Sequence, residues 1–282
     1  MAAAWLGDGM SIASPPGSDR LSRRLAAAAV LVPLVLGLTW AGGWAFAAMI
    51  VGFAALLGRE WARLCGALDG RWSGWALPAG LVLLIAGAEA ESRPLEAAMV
   101  GVGLAIGLLI LYAKDLGANR AGWLALGVAA ILPAGLALLW MRALEPQGMT
   151  LIFWLMLVVW MTDTGAYAVG RAVGGPLLAP RISPSKTWAG LAGGLASASA
   201  AGGVAAMLLG TGAFAPAAAA GLIVGVGGVL GDLFESHVKR HFKVKDSGGL
   251  IPGHGGAMDR LDSLLAAAPV TAGLYLTGWQ WL

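Results

Sequence analysis

Much of the charged chemistry of this chain lies in one short segment, residues 236–262. The segment has lysine or arginine at five positions, aspartate at three, and all three histidines of the chain. These residues are Lys239, Arg240, Lys243, Lys245, Arg260, Asp246, Asp259, Asp262, His237, His241 and His254. Because only 12% of the protein is charged, this density requires a chemical explanation.

The acids are spaced so that they could bind a metal ion. Asp259 and Asp262 are three residues apart and would project from one face of a helix, and Asp232 and Glu235 have the same spacing. Carboxylates without cysteine or histidine at zinc spacing favour a hard, oxygen-binding cation such as Mg²⁺. Acids at the end of a helix also oppose its dipole, so Asp232 and Glu235 require a cationic partner.

The cations and glycines of residues 236–262 suit a polyphosphate. Glycine lets backbone N–H groups approach an anion closely, and five glycines lie between residues 248 and 256. Lysines and arginines beside acids are typical of a triphosphate site, in which a metal bridges the same oxygens. The alternative is a polybasic loop that binds anionic lipid, which would need neither the aspartates nor the glycines.

Two earlier segments could contribute to the same site. Asp163 interrupts an apolar stretch, with Tyr167 on the same helical face, and an acid at membrane depth is usually paired or faces water. Residues 181–188 read Arg-Ile-Ser-Pro-Ser-Lys-Thr-Trp, and hydroxyls and a lysine at a helix N-terminus suit phosphate. The alternatives are a structural hydrogen bond for Asp163 and an ordinary capped loop for residues 181–188.

The elements that must position these groups are membrane-spanning helices. Hydrophobic residues make up 59% of the 282-residue chain, above the proportion of soluble domains. With a mean hydropathy of +0.79, the apolar stretches of about twenty residues predict an all-α polytopic membrane protein. The 44 glycines suit close helix packing in lipid, and the single cysteine, Cys65, excludes an intramolecular disulfide.

We predict about nine transmembrane helices. Their approximate bounds are 25–42, 44–58, 74–90, 96–113, 121–141, 150–170, 189–210, 214–235 and 263–282. With the N-terminus in the cytoplasm, all 18 lysines and arginines except Arg93 and Arg142 fall on the cytoplasmic side, as the positive-inside rule requires. This topology places the loops at residues 171–188 and 236–262 in the cytoplasm and the C-terminus on the opposite side.

The chain divides into three parts on this interpretation. Residues 1–24 are small and polar and are expected to be disordered. Residues 25–148 form a scaffold of about five helices, with few polar residues inside the spans. Residues 149–282 form a catalytic region of about four helices, which carries both charged loops.

Residues 236–262 resemble the C-terminal signature of the phosphatidate cytidylyltransferase (CDP-diacylglycerol synthase) family. That signature reads S-x-aliphatic-K-R-x4-K-D-x-small-x2-aliphatic-P-x-H-G-G-aliphatic-x-D-R-aliphatic-D. The matching residues are Ser236, Lys239, Arg240, Lys245, Asp246, Gly248, Ile251, Pro252, His254, Gly255, Gly256, Asp259, Arg260, Leu261 and Asp262. Asp163–Tyr167 and Arg181–Trp188 also resemble family segments, whereas the N-terminal spans are similar only in hydropathy.

The chain departs from the family pattern at a few positions. Ala257 is smaller than the usual branched aliphatic residue, which hardly affects the chemistry. Ala189 stands where a glutamate is common, and residues 174–176, Gly-Gly-Pro, replace a glycine–lysine stretch. These two departures are either peripheral or alter the affinity for substrate.

The resemblance implies that CTP and phosphatidic acid react to give CDP-diacylglycerol and pyrophosphate, with one or two divalent cations such as Mg²⁺; a monovalent cation is also compatible. The implied metal ligands are Asp232, Asp246, Asp259, Asp262 and Asp163. The implied catalytic residues are Asp246, Lys245, Lys239, Arg240, Asp259 and Arg260. The implied substrate-binding residues are Ser183, Ser185, Lys186, Thr187, Tyr167, Ser236, His254, Gly255 and Gly256. A homodimer in the bacterial inner membrane, with a cytoplasmic active site and no nucleic-acid partner, is expected.

Two other interpretations stay open. A related CTP-dependent enzyme could use another lipid acceptor, as an ether-lipid cytidylyltransferase or a polyprenol kinase does, because the sequence does not specify the tails of the acceptor. A transporter with intramembrane acids would instead carry charges toward the membrane midplane in both halves of the chain.

Overall fold

The computed structural model describes residues 18–67, 118–248 and 256–282, with a few isolated positions between 79 and 107. Its helices and strands are α1 (Ser18–Ala41), α2 (Gly43–Leu64), α3 (Ala118–Ala143), α4 (Gly148–Val173), β1 (Leu177–Ala179), β2 (Ser183–Thr187), α5 (Trp188–Leu208), α6 (Phe214–His241) and α7 (Met258–Leu276). The predicted third and fourth helices, 74–90 and 96–113, lie outside the described residues. Helix α1 begins within the segment expected to be disordered, of which residues 1–17 lie outside the described part.

Five helices of the described part are long and apolar enough to cross a membrane. Their bounds are Gly43–Leu64, Asn119–Ala143, Gly148–Val173, Trp188–Leu208 and Phe214–His241. Helix α1 adds a shorter apolar segment, Ala28–Ala41. Helix α7 is not among the five, because its first five residues include Asp259, Arg260 and Asp262, and its apolar part begins only after them. The chain is therefore a multi-pass helical membrane protein, whereas the total of nine spans stays a prediction.

Helices α2 and α6 continue furthest beyond their predicted C-terminal ends, for reasons of packing. Helix α2 continues to Leu64 because Trp61 is buried and donates from its ring nitrogen to the Trp123 carbonyl, 2.7 Å away. Helix α6 continues to His241, with Val238 fully buried on its inner face. Residues 236–241, which were predicted to begin a loop, are therefore the last turns of α6.

A small sheet replaces the loop predicted at residues 171–188. Strands β1 and β2 form an antiparallel hairpin in which Leu177 is opposite Thr187 and Ala179 is opposite Ser183. Pro184 has no N–H and breaks helices, so an extended strand suits this segment better than a continuation of α5 toward its N-terminus. The all-α prediction was wrong at this one place among the described residues.

Helices α4 to α7 pack in chain order, each against the next, and α7 also contacts α3. Small residues allow the close approach that was expected: a Cβ added at Gly221 of α6 would lie 2.5 Å from the Ala198 carbonyl oxygen of α5. A Cβ at Gly231 would lie 2.6 Å from the Asp262 carbonyl oxygen of α7. Glycine at residue 231 therefore brings α6 and α7 together beside the acids of the two helices.

Candidate active site

Three carboxylates meet where the C-terminal half of α6 contacts the first turn of α7. Asp232 and Glu235 project from one face of α6, and Asp262 faces them from α7. One oxygen of each lies within 4.8 Å of an oxygen of the others. Carboxylates this close repel one another unless a cation or protons offset their charge. We call these three residues the acid cluster.

Glu235 is the most deeply buried member of the acid cluster, with 2% of its surface exposed. Its Oε2 atom lies 2.7 Å from Lys239 Nζ, but neither oxygen accepts a well-aligned hydrogen bond from a described residue. Buried polar atoms without such a partner require an explanation, such as a bound water or a bound ion. The hard oxygen donors of Asp232, Glu235 and Asp262 are therefore suited to a divalent cation such as Mg²⁺.

Lys239 links the acid cluster to a fourth acid, Asp259. Its Nζ atom is 2.7 Å from Glu235 Oε2 and 2.7 Å from Asp259 Oδ1, so one half-buried ammonium is shared by two carboxylates. The first turn of α7 is thereby joined to the last turns of α6. An ammonium held between acids can neutralise one of them while it stays available to a phosphate.

Asp259 also closes the loop that precedes α7. Its Oδ2 atom accepts hydrogen bonds from the Ser247 amide at 3.1 Å and the Gly256 amide at 2.8 Å, and the Ser247 hydroxyl, 3.0 Å away, shares its single proton between Asp259 and Glu60. Burial alone would raise the pKa of Asp259, but these hydrogen bonds and that from Lys239 outweigh it and hold the pKa below its ordinary value. Both oxygens of Asp259 therefore already have protein partners, and its predicted role as a metal ligand stays a prediction.

The β1–β2 hairpin docks on the same end of α6. Lys186 forms an ion pair with Asp232, and Arg240 donates from Nε to the Ile182 carbonyl at 3.3 Å. Thr187 caps α5 by accepting a hydrogen bond from the Gly190 amide at 3.0 Å. The predicted hydroxyl-rich segment therefore lies against the acid cluster, and its lysine is the residue that contacts it.

Asp163 of α4 lies on another side of the acid cluster. It is close enough to Asp232 and Lys186 to interact with both electrostatically. Together with Arg260 it lines a cavity of about 370 Å³ whose remaining walls are almost entirely apolar side chains of α1, α2, α3, α4 and α7. The polar end of the cavity therefore faces the site, and the rest offers space to an apolar molecule.

The other residues that were predicted for the site have different surroundings. Ser236 donates to Asp232 Oδ1 at 3.4 Å, next to the acid cluster. The side chains of Lys245, Asp246 and Ser185 are exposed. Tyr167 is also exposed, one helical turn from Asp163, and accepts a hydrogen bond from Arg171 at 3.0 Å. His254 and Gly255 lie outside the described residues.

Two buried acids were absent from the predicted site residues: Glu235, which is a member of the acid cluster, and Glu60, which lies beside it. Glu60 of α2 is 6% exposed and accepts hydrogen bonds from the Ser247 hydroxyl and from the Ala257 and Met258 amides. A signal is present in the sequence, because Glu60 is three residues after Leu57 and four before Leu64, within an apolar helical stripe. The predicted end of the second helix at residue 58 leaves Glu60 outside that stripe.

The fold and site define a class: a helical membrane protein with clustered acids, lysines and arginines at the ends of two helices. The family model described as "Cytidylyltransferase family" matches residues 22–277. A protein named phosphatidate cytidylyltransferase from Brucella suis is 39% identical over 266 residues, which cover 92% of this chain and 94% of that protein. One of the same name from Pseudomonas aeruginosa is 37% identical over 270 residues, 92% of this chain and 98% of that protein. The chain therefore belongs to the cytidylyltransferase family.

The similarity also extends over the N-terminal spans, where the motifs alone had indicated only a likeness in hydropathy. A third relative of the same name, from Bacillus subtilis, is 44% identical over 138 residues, 45% of this chain and 48% of that protein. The range matched by the family model begins within α1 and ends just after α7. Helices α1 and α2 are therefore part of the family architecture, which agrees with the contact that Glu60 makes to the site.

Proposed function

We propose that this protein transfers the cytidylyl group of CTP to phosphatidic acid. A phosphate oxygen of the lipid attacks the α-phosphorus of CTP and forms a new P–O bond. The bond from the α-phosphorus to the bridging oxygen of the β-phosphate breaks, and pyrophosphate leaves with the electron pair. The other product is CDP-diacylglycerol. The names of the similar bacterial proteins support this reaction.

One observation carries the choice of a lipid acceptor: the apolar cavity ends at charged groups beside the acid cluster. Leu31 and Val35 of α1 and Phe53 of α2 line the apolar part, and Asp163 and Arg260 line the polar end. An amphipathic acceptor fits such a cavity, because its chains can stay among apolar side chains while its phosphate meets Arg260. A water-soluble acceptor would gain nothing from the apolar walls.

The acid cluster is proposed to hold a divalent cation, with Mg²⁺ as the best candidate. When bound, the cation supplies positive charge to the phosphate oxygens. Asp232, Glu235 and Asp262 offer the oxygens that such an ion prefers. Asp163, Asp246 and Asp259 stay predicted ligands of one or two ions.

The lysines and arginines are proposed to position the phosphates. Lys239 and Lys186 already lie against acids of the site, and each can turn its N–H donors toward a phosphate oxygen. Arg240 at the end of α6 and Arg260 at the start of α7 add two more donors on the same end of the helices. The attacking lipid phosphate is an anion at neutral pH, so catalysis requires placement and charge neutralisation rather than a strong general base.

The site is proposed to face the cytoplasm of a bacterial cell. The distribution of lysine and arginine supports this orientation, since the loops at 171–188 and 236–262 fall on the positive side. CTP is a soluble polyanion and the acceptor is a membrane lipid, and a site at the membrane edge can meet both. The homodimer expected from the family resemblance stays a prediction, for which crosslinking in native membranes is the measurement.

The acceptor can be identified with purified protein in detergent, CTP and Mg²⁺. Release of pyrophosphate and of CDP is measured with phosphatidic acid, with an ether-linked analogue, with a polyprenol and without lipid, because a polyprenol kinase would release CDP. We expect pyrophosphate release that depends on phosphatidic acid and is slower with the other acceptors. Faster turnover with the ether lipid or the polyprenol would replace the proposed acceptor, and solute flux in proteoliposomes without turnover of CTP would favour a transporter.

A further inference from the structure

Glu60 makes an unusual set of contacts for an acid in a membrane-spanning helix. Its Oε1 atom accepts from the Ala257 amide at 2.9 Å, and its Oε2 atom accepts from the Met258 amide at 2.8 Å and the Ser247 hydroxyl at 3.1 Å. Both oxygens are therefore used, and every donor belongs to the segment that leads into α7. None of these donors comes from α2 itself.

These contacts replace a missing cap at the start of α7. The first N–H groups of a helix have no partner within the helix and are usually satisfied by the side chain of the N-cap residue. The N-cap residue of α7 is Ala257, which has no side-chain acceptor. A carboxylate near the helix N-terminus also interacts favourably with the helix dipole. Glu60 thus caps α7 from a different helix.

The backbone around Glu60 is shaped to admit its carboxylate. A Cβ added at Gly256 would lie 2.6 Å from Glu60 Oε2 and would also collide with the Ser247 hydroxyl. A Cβ added at Gly248 would lie 2.8 Å from Glu60 Oε1, and its nearest neighbours would all be atoms of Glu60. Residues 248 and 256 therefore form a glycine cradle whose walls touch the Glu60 side chain.

The capped turn is also the turn that carries the chemistry. Asp259 and Asp262 follow Met258 by one and four residues, and both lie at the meeting point of α6 and α7. If the turn shifts, the Asp262 oxygen moves relative to Asp232 and Glu235, and the contact of Asp259 with Lys239 lengthens. The rotational and axial position of this turn is therefore set in part by Glu60.

We propose that Glu60 is a positioning residue, which holds the first turn of α7 so that Asp262 meets Asp232 and Glu235. The proposal rests on the proposed function of the acid cluster and gives α2 a part in it. Glu60 acts through α7 and touches neither substrate nor cation. It gives a structural reason for a buried acid in an otherwise apolar stripe of the scaffold.

The first test compares Glu60→Gln with the wild-type protein. The glutamine keeps the size of the side chain but replaces one carboxylate oxygen with an NH₂ group. That NH₂ group faces a backbone N–H group that it cannot accept from, so one hydrogen bond is lost. We expect kcat to fall by about 10- to 100-fold, the range seen when residues that support metal ligands are changed. We also expect the Mg²⁺ concentration for half-maximal activity to rise several-fold, with the KM for phosphatidic acid changed by less than about twofold. Glu145→Gln, in an exposed loop between α3 and α4, is the control.

A second variant changes the cradle and leaves Glu60 in place. Gly248→Ala pushes its new methyl group against the carboxylate, so it should lower kcat and weaken Mg²⁺ activation in the same direction. In a Glu60→Ala background the same substitution meets open space, and its additional effect should disappear. Equal effects of Gly248→Ala in both backgrounds would overturn the contact on which the proposal stands.

A measurement that does not require turnover distinguishes the positioning role of Glu60 from the proposed cytidylyl transfer. The thermal midpoint is measured with and without Mg²⁺ for wild type and Glu60→Gln. We expect a Mg²⁺-dependent rise in wild type and a smaller rise in the variant. If the wild-type protein shows the Mg²⁺-dependent rise of the thermal midpoint but transfers no cytidylyl group, only the proposed function is rejected. If the wild-type protein is active and Glu60→Gln has the same kcat and Mg²⁺ dependence, only the positioning role is overturned. The same conclusion follows if Glu60→Gln loses stability but keeps its kcat and Mg²⁺ dependence.

Discussion

Lys186 of strand β2 forms an ion pair with Asp232 of helix α6, although Lys186 belongs to the predicted loop at residues 171–188 and Asp232 to the end of the predicted span at residues 214–235. The pair joins the β1–β2 hairpin to the acid cluster. It also means that one acid of the cluster already has a protein cation beside it, which a divalent ion or a phosphate group could displace or share.

Lys186→Met tests whether Lys186 also contacts a phosphate of the substrate, in addition to its ion pair with Asp232. Loss of one charge-assisted contact to a phosphate should raise the KM for CTP or for phosphatidic acid by about tenfold. The KM for each substrate identifies which phosphate Lys186 meets. Lys243→Met removes the same charge at an exposed position after α6 and should leave both KM values unchanged. Unchanged kinetics in Lys186→Met would limit Lys186 to a structural role.

Asp262→Asn tests the metal role of the acid cluster. The substitution preserves shape but removes the charge of the α7 member, so activity should fall by about 100-fold or more. The Mg²⁺-dependent rise of the thermal midpoint should disappear as well. Treatment of wild type with EDTA should abolish activity, and added Mg²⁺ should restore it. Persistence of activity after chelation would contradict a role for any divalent ion.

Lys239→Met tests the shared ammonium between Glu235 and Asp259. The variant leaves the buried Glu235 and the half-buried Asp259 without their shared cation. Removal of one partner from a fully buried pair costs about 3–5 kcal/mol, and the partial exposure of Lys239 and Asp259 reduces that cost. We therefore expect a lower thermal midpoint together with the loss of activity. Lys239→Arg keeps the charge and should retain more stability than Lys239→Met. Equal stability of the two variants would show that charge at this position does not hold α6 and α7 together.

Val35→Trp tests the assignment of the apolar cavity to the lipid chains. Val35 lines the cavity from α1, and a larger ring there would narrow it. The KM for long-chain phosphatidic acid should rise about fivefold, while a short-chain lipid should be affected less. Val30→Trp, on the same helix but highly exposed and outside the cavity lining, is the control. An identical effect on long and short chains would argue against acyl chains in this cavity.

Much of the site is predictable from the sequence because its acids and cations are close together along the chain. Asp259, Asp262 and Lys239 lie in one segment, and the i, i+3 spacing of Asp232 and Glu235 by itself indicates that they share one face of a helix. The ion pair of Lys186 with Asp232 agrees with the prediction that the 183–187 segment folds onto this region. Local spacing thus identifies groups that the structure brings together and leaves their pairings open.

Glu60 is not predictable in the same way, because its partners are distant in sequence. Nothing near residue 60 shows that its carboxylate will meet the amides of Ala257 and Met258, since that contact depends on how the tertiary fold places α2 beside the start of α7. The ends of α2 and α6 differ from their predicted positions for a related reason. Charged residues after an apolar run predict the end of a span, whereas Trp61 and Val238 bury one face of each helix beyond that point.

The central proposal is that the cytidylyl group, and not the terminal phosphate, moves from CTP to phosphatidic acid. The most direct measurement supplies purified protein and phosphatidic acid with CTP labelled at either the α- or the γ-phosphate. Cytidylyl transfer predicts that the α-label enters the lipid and the γ-label is released as pyrophosphate. Entry of the γ-label into lipid would indicate a kinase, and absence of both labels from lipid would contradict the proposed reaction.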